Sequence, residues 1–224
     1  MDYRITDALS RRAGYIGKTI SPLFIGLDEM SVYVAGGSLN GKINDIDLFP
    51  VRPHHLQQIV RENRIISKTP NATTIQAEPW PVQLCNYEHN TLQALVDSFD
   101  YAHIQAGAKL TWENERMRVV DVYCTDGFVA ANAINSTWFC GSAYPLSSLM
   151  RAGKYYKRGA MLRGAYIRCV IDSLVAVIQR GFKSHEDFKD QLDAVDLGIL
   201  PEDLAETGAS RFKDLFDLLD RSDP

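Results

Sequence analysis

The stretch SVYVAGGSLNGKINDIDLFP, Ser31 to Pro50, decides how this chain is read. Val32 to Ala35 is a run of β-formers that feeds into Gly36, Gly37 and Ser38, and Asp45 and Asp47 follow within the next nine residues. Gly36 to Lys42 also spells G-x-x-x-x-G-K, most of the loop that cradles phosphates in P-loop proteins. That loop needs a Ser or Thr after its lysine and a helix whose N-terminus faces the phosphates. Ile43 stands there instead, and Ile46, Leu48 and Phe49, closed by Pro50, read as a strand. No room is left for the helix, so the P-loop match is set aside.

On a strand, side chains two residues apart point to the same face, so Asp45 and Asp47 project together. Adjacent like charges resist ionising together unless a cation lies between them, which makes the pair a natural place for a hard divalent metal such as Mg²⁺. The glycines let the backbone approach an anion closely, and Ser38 adds a hydroxyl and an N–H. A metal-bound triphosphate is the implied ligand.

A strand, Gly-Gly-Ser, a short spacer and Asp-x-Asp resembles the signature of the DNA polymerase β type nucleotidyltransferase superfamily, and its phage-encoded members in particular. The resemblance implies transfer of NMP from an NTP to an acceptor hydroxyl with release of pyrophosphate. It implies that Gly36, Gly37 and Ser38 grip the triphosphate. It also implies that Asp45, Asp47 and a third carboxylate bind two Mg²⁺ ions, or Mn²⁺ in their place. Asp100, in Phe99-Asp100-Tyr101, looks like the family's hydrophobic-Asp-hydrophobic element and is the favoured third carboxylate; Asp121, between Val120 and Val122, is its rival. The run Leu149 to Gly159 is similar to the Arg-x-x-Lys-Tyr segment of phage nucleotidyltransferases, so Arg151 and Lys154 are expected to reach the triphosphate. The spacer Leu39 to Asn44 leaves space for about one helical turn. The acceptor is open: a tRNA 3′ end, a protein or a small hydroxylated molecule. A module of the same fold that binds nucleotide without turnover is the alternative.

The rest of the chain is consistent with an ordinary globular protein. With 46% hydrophobic residues, a net charge of −4 and a mean hydropathy of −0.17, its 224 residues can bury a substantial core. No apolar run is long enough to cross a bilayer, and MDYRITDALSRR lacks a signal peptide's apolar core, so a cytoplasmic protein is expected. Cys85, Cys124, Cys140 and Cys169 are widely spaced, which suits reduced thiols. Gly127 to Ile171 contains no acid but does contain Arg151, Lys154, Lys157, Arg158, Arg163 and Arg168, whereas His185 to Pro224 is strongly acidic. The basic segment suits phosphate; the acidic tail reads as solvated helix.

Along the chain, the pattern predicts a helix over Tyr3 to Arg12 ended by Gly14 and Gly17, and a second helix over Pro22 to Met30. After the two strands of the opening stretch, Pro53 starts a helix to about Asn63, with His54 and His55 expected on its surface. Strands are predicted over 64–68, 72–77 and 81–87, and a helix over Thr91 to Ser98 capped by Asn90. A strand entered at Asp100 should pair with Met117 to Cys124 through a turn at Glu113 to Arg116. Pro145 starts a helix through Arg158, and Met161 to Arg180 reads as a continuous helix with a core stripe of Ile167, Val170, Ile171, Leu174, Val175 and Ile178. Ser184 and Asp187 start a helix to Asp193, and further short helices are expected from Pro201 and over Ser210 to Asp220. The expected architecture is α/β (α+β): a mixed sheet flanked by helices in a catalytic core over 1–140, followed by a helical part over 141–224 sharing one body.

Overall fold

The structure is a computed structural model that describes residues 3–41, 43–69, 71–87, 89–157 and 159–193. Lys42, Arg158 and the helices expected after Pro201 lie outside the described residues.

The first helix, α1 (Tyr3–Ile20), runs straight through Gly14 and Gly17 rather than ending before them. The reason is packing against the sheet. A methyl group on Gly17 would lie 3.2 Å from Met117 Cβ, so the glycine is what lets α1 settle onto the strand beneath it. Its apolar face, Leu9, Ala13, Ile16 and Ile20, is buried. The expected second helix is only a short 3₁₀ turn, Ser21–Phe24, with Pro22 in its first turn and the chain already extended at Ile25.

Seven strands form one sheet: β1 (Met30–Ala35), β2 (Ile46–Pro50), β3 (Ile65–Lys68), β4 (Ala72–Ile75), β5 (Val82–Cys85), β6 (Ala106–Glu113) and β7 (Arg116–Cys124). Their order is β3-β4-β5-β2-β1-β6-β7. β2 runs parallel to β5 and antiparallel to β1, and the remaining neighbours pair antiparallel, so the sheet is mixed as expected. β6 and β7 join through Asn114 and Glu115, both at positive φ (50° and 58°), the backbone of a tight hairpin whose twist matches the strands.

The two faces of the sheet are covered differently. Ile46 and Leu48 of β2 point into the large core with Ile16, Ile20, Phe24, Leu110 and Ile59. Ile59 belongs to α2 (Pro53–Glu62). His55 of that helix is buried, not on the surface, because its Nδ1 lies 3.2 Å from the Ser31 carbonyl oxygen. On the opposite face lies α3 (Leu92–Asp97), whose N-cap is Thr91 rather than Asn90: the Thr91 hydroxyl accepts from Ala94 N–H at 3.0 Å. A methyl group on Gly107 would lie 2.7 Å from Leu92 and 2.8 Å from Val96, so α3 rests directly on the sheet backbone there.

After β7 come α4 (Asp126–Ala133), α5 (Pro145–Lys157), α6 (Gly164–Arg180) and α7 (His185–Asp193). Two short strands, β8 (Ser136–Thr137) and β9 (Met161–Leu162), pair in parallel, so the residues before α6 are a strand and not the start of one long helix. Tyr101, Ile104, Ala152, Tyr155 and Val170 form one buried cluster that joins residues on both sides of position 140. Of the stripe expected to be core on α6, only Val170 is buried; Ile171, Val175 and Ile178 are 44%, 41% and 60% exposed. α7 begins as the sequence suggests, with Asp187 N–H donating to Ser184 Oγ and Lys183 N–H to Asp187 Oδ2. No helix among the described residues is long and apolar enough to cross a membrane.

Candidate active site

β1 delivers the chain into the turn Gly36–Leu39, one short 3₁₀ turn that opens at Gly36 with φ +85°. That conformation is strained for any residue with a Cβ. The one turn expected in the spacer Leu39 to Asn44 instead lies just before it, over Gly36–Leu39; Asn40 is already extended, and a strand follows where a P-loop would require a helix. The turn is clamped from α1: Arg12 Nε donates to the Ser38 carbonyl oxygen at 3.0 Å and Arg12 Nη2 donates to the Gly41 carbonyl oxygen. Asn40 Nδ2 donates to the His103 carbonyl oxygen at 2.9 Å and ties the turn's far end to the body. Ser38 is buried, and its Oγ has no hydrogen-bond partner among the described residues. Gly37 is exposed, with open space where a side chain would stand.

Asp45 immediately precedes β2 and Asp47 lies within it, both half-buried, on the face opposite Ile46 and Leu48. The α3 face of the sheet thus carries the carboxylates. A methyl group placed on Gly36 would lie 3.8 Å from Asp47 Oδ2, so turn and carboxylate border the same space. Cys85 stands beside them: burial first, then the charges of Asp47 and Asp45, push its thiol well above the ordinary value, which keeps it neutral.

Asp100 comes three residues after α3. It does not open a strand; Tyr101 makes a single bridge to Phe139, and a 3₁₀ turn, Ala102–Ile104, precedes β6. Its carboxyl group is 3% exposed and turned to α5, where Ser148 Oγ donates to Oδ2 at 2.7 Å and Arg151 Nε lies 3.3 Å from the same oxygen. Oδ1 is buried without a hydrogen-bond partner among the described residues. Among the described residues no group of three or more His, Cys, Asp or Glu is arranged to hold a metal ion. Asp121 is exposed on β7, opposite Lys109 and separated from β2 by β1 and β6.

Arg151, read from sequence as a cation with no nearby acid, has Asp100 as its partner, and Arg151 Nη2 also donates to Ser147 Oγ at 3.4 Å. Its side chain keeps 33% exposure. Lys154 follows one turn later on α5 and is half-buried. Tyr155 of the same helix is buried near both groups of acids. Burial, then the negative charges of Asp100 and Asp47, push its phenol far above the ordinary value, so it remains a neutral hydroxyl. Behind it, His103 Nδ1 lies 2.7 Å from Thr137 Oγ1, and burial lowers the imidazole to about 4.

Two residues at this site escaped sequence reasoning. Arg12 carried no signal beyond being one cation on an amphipathic helix. Ser148 lies 48 positions from the acid it binds, too far for any local pattern.

No protein-family model matches the sequence, and no curated protein matches it. Solved structures do match. A CCA-adding enzyme in its apo form II aligns with 93% of this chain at 11% identity and a TM-score of 0.52, and a CCA-adding enzyme complexed with ATP aligns with 90% of it at 11% identity and the same TM-score. The Thermotoga maritima CCA-adding enzyme complexed with tRNA aligns with 95% at 12% identity and a TM-score of 0.47. The chain spans about half the length of these structures, 55%, 53% and 52% respectively. The mixed sheet with its flanking helices is thus the fold of these CCA-adding enzymes.

Proposed function

We propose that this protein transfers NMP from an NTP to an acceptor hydroxyl and releases pyrophosphate. The observation that carries the reading is the juxtaposition of Asp47 with the Gly36 turn on one sheet face, with Asp45 two residues before it. The fold shared with CCA-adding enzymes, one of them complexed with ATP, supports an NTP as substrate.

The donor set fits Mg²⁺, or Mn²⁺ in its place. Such an ion needs only one or two carboxylates when substrate phosphates and waters complete its shell, and Asp45 and Asp47 supply two hard oxygen donors. When bound there, the ion would neutralise phosphate charge and make the acceptor hydroxyl a better nucleophile. The chain's own residues do the remaining work. The orphaned Ser38 hydroxyl and the open Gly37 backbone would bind phosphate oxygens. Arg12 holds that turn in shape from behind. Arg151, steadied by Asp100 and one-third exposed, would meet the triphosphate from α5 with Lys154 beside it. Asp100 acts through Arg151 as a positioning residue. Catalysis on this scheme is positioning and electrostatics, with no covalent enzyme intermediate.

For the acceptor, the fold shared with CCA-adding enzymes makes a tRNA 3′ end the first to assay, ahead of a protein or a small hydroxylated molecule. One observation favours the alternative of binding without turnover: no three-acid ligand set is formed among the described residues. Incubation with each labelled NTP, Mg²⁺ and candidate acceptors separates the two readings. NMP transfer with pyrophosphate release supports the enzyme. Nucleotide binding with no transfer to any acceptor supports the module.

A further inference from the structure

Phe99 closes α3 and is fixed at three points. Its N–H donates to the Val96 carbonyl oxygen at 3.2 Å, its own carbonyl oxygen accepts from Gln105 Nε2 at 2.9 Å, and the next residue, Asp100, is locked to Ser148 and Arg151. Gln105 is held in turn by Thr125 Oγ1, which donates to its Oε1 at 3.0 Å. The ring packs 6.1 Å, centroid to centroid, from Phe49, which lies two residues after Asp47 on the same face of β2. It is half-buried and not part of the fully enclosed core.

The remaining edge of that ring borders the phosphate turn. A methyl group on Gly36 would lie 3.9 Å from Phe99 Cζ and 3.8 Å from Asp47 Oδ2, so the apolar ring edge and the carboxylate flank one small space. A triphosphate seated at Gly36, Gly37 and Ser38 brings its own sugar next to that space, since ribose is the first group beyond the α-phosphate. The sugar presents C–H groups, and an apolar, rigidly held ring is a surface that such groups bury against with little ordering cost.

Resting on the triphosphate reading above, we infer that Phe99 is the contact surface for the nucleotide's ribose, a residue that selects a nucleoside triphosphate over a bare polyphosphate. Its role is to bind the sugar; it takes no part in the metal or proton chemistry.

The test compares two ligands by isothermal titration calorimetry in Mg²⁺, using the full chain: the non-transferable analogue α,β-methylene-ATP and inorganic tripolyphosphate. The wild type is expected to bind the nucleotide more tightly. Phe99→Ala should weaken α,β-methylene-ATP about tenfold and leave tripolyphosphate unchanged. Phe99→Leu, which keeps most of the packing against Phe49, guards against misfolding; it should show a smaller loss in the same direction, with thermal midpoints recorded for both variants. Equal weakening of both ligands would mean that the ring only supports the turn, and would overturn the inference. Unchanged nucleotide binding, or equal wild-type affinity for the two ligands, would overturn it too while leaving the triphosphate site standing. A wild type that binds neither ligand would remove the triphosphate reading and this inference together.

Discussion

The two acidic regions of this protein hold their charge in opposite ways. Asp45, just before β2, and Asp47, within it, stand half-buried beside a glycine turn, whereas Asp100 is sealed in the junction with α5 and bound by Ser148 and Arg151. Burying a carboxylate is costly unless partners replace its water, so Asp100 is committed to those partners. A carboxylate still open to solvent can trade water for a metal or a substrate. On the proposed reading, the half-exposed pair would take an exchangeable ligand and the junction would hold that ligand's neighbours still.

The largest expected effect falls on the open pair. Asp45→Ala with Asp47→Ala should reduce NMP transfer by about a thousandfold or more, since several kcal/mol of charge stabilisation is lost. The same double variant should change folding stability by only about 1 kcal/mol, because both side chains are half-exposed. Unchanged transfer would sink the assignment of the site. Asp100→Ala should do the reverse in emphasis. Removing the carboxylate that Arg151 and Ser148 share is expected to cost about 2–3 kcal/mol, reduced from the fully buried case by the partial exposure of Arg151. Urea denaturation measures it, and a loss no larger than that of the Asp45/Asp47 variant would erase the distinction drawn here.

His103 gives the junction a pH dependence. Burial lowers its imidazole from 6.5 to about 4. Between those values the unfolded chain binds a proton that the folded chain does not, so stability rises with pH across the window and is fully present above 6.5. Acidification from pH 6.5 towards 4 should therefore remove about 2–3 kcal/mol, and His103→Gln should flatten that slope in urea midpoints collected across the range. A parallel slope in the variant would assign the acid sensitivity to other groups. The smallest effect is expected from Thr125→Ala. The Thr125 hydroxyl caps α4 by accepting from Phe128 N–H at 3.0 Å and holds Gln105, so its loss should cost about 1 kcal/mol by thermal denaturation. A loss below a few tenths of that would show that the chain of contacts from Thr125 to Phe99 is slack.

Legibility followed the same divide. The turn and β2 could be read because their logic is contained in consecutive residues: glycines where φ must be positive, and two acids at the period of a strand. The expected mixed sheet followed from similarly local signals, down to the hairpin at Asn114 and Glu115. The junction could not be read, because Asp100, Ser148 and Arg151 meet only once α5 has docked. Phe-Asp-Tyr pointed to an important acid but not to which neighbours it would keep. α1 was cut short because Gly17 looked like a terminator, when its missing side chain is what admits Met117. On α6, periodicity identified an apolar stripe correctly but could not reveal which part of it has a neighbour; only Val170 does so fully.

The thiols carry a practical consequence for any experiment on this protein. Cys85 and Cys124 are buried, and burial keeps both protonated, while Cys140 is pushed up to about 11 by burial and the nearby Asp100. Cys169 is exposed on α6. A thiol-directed fluorophore is therefore expected to attach there first, since the thiolate is the reacting form. That gives a reporter on the helical part with no substitution among the residues that face the glycine turn.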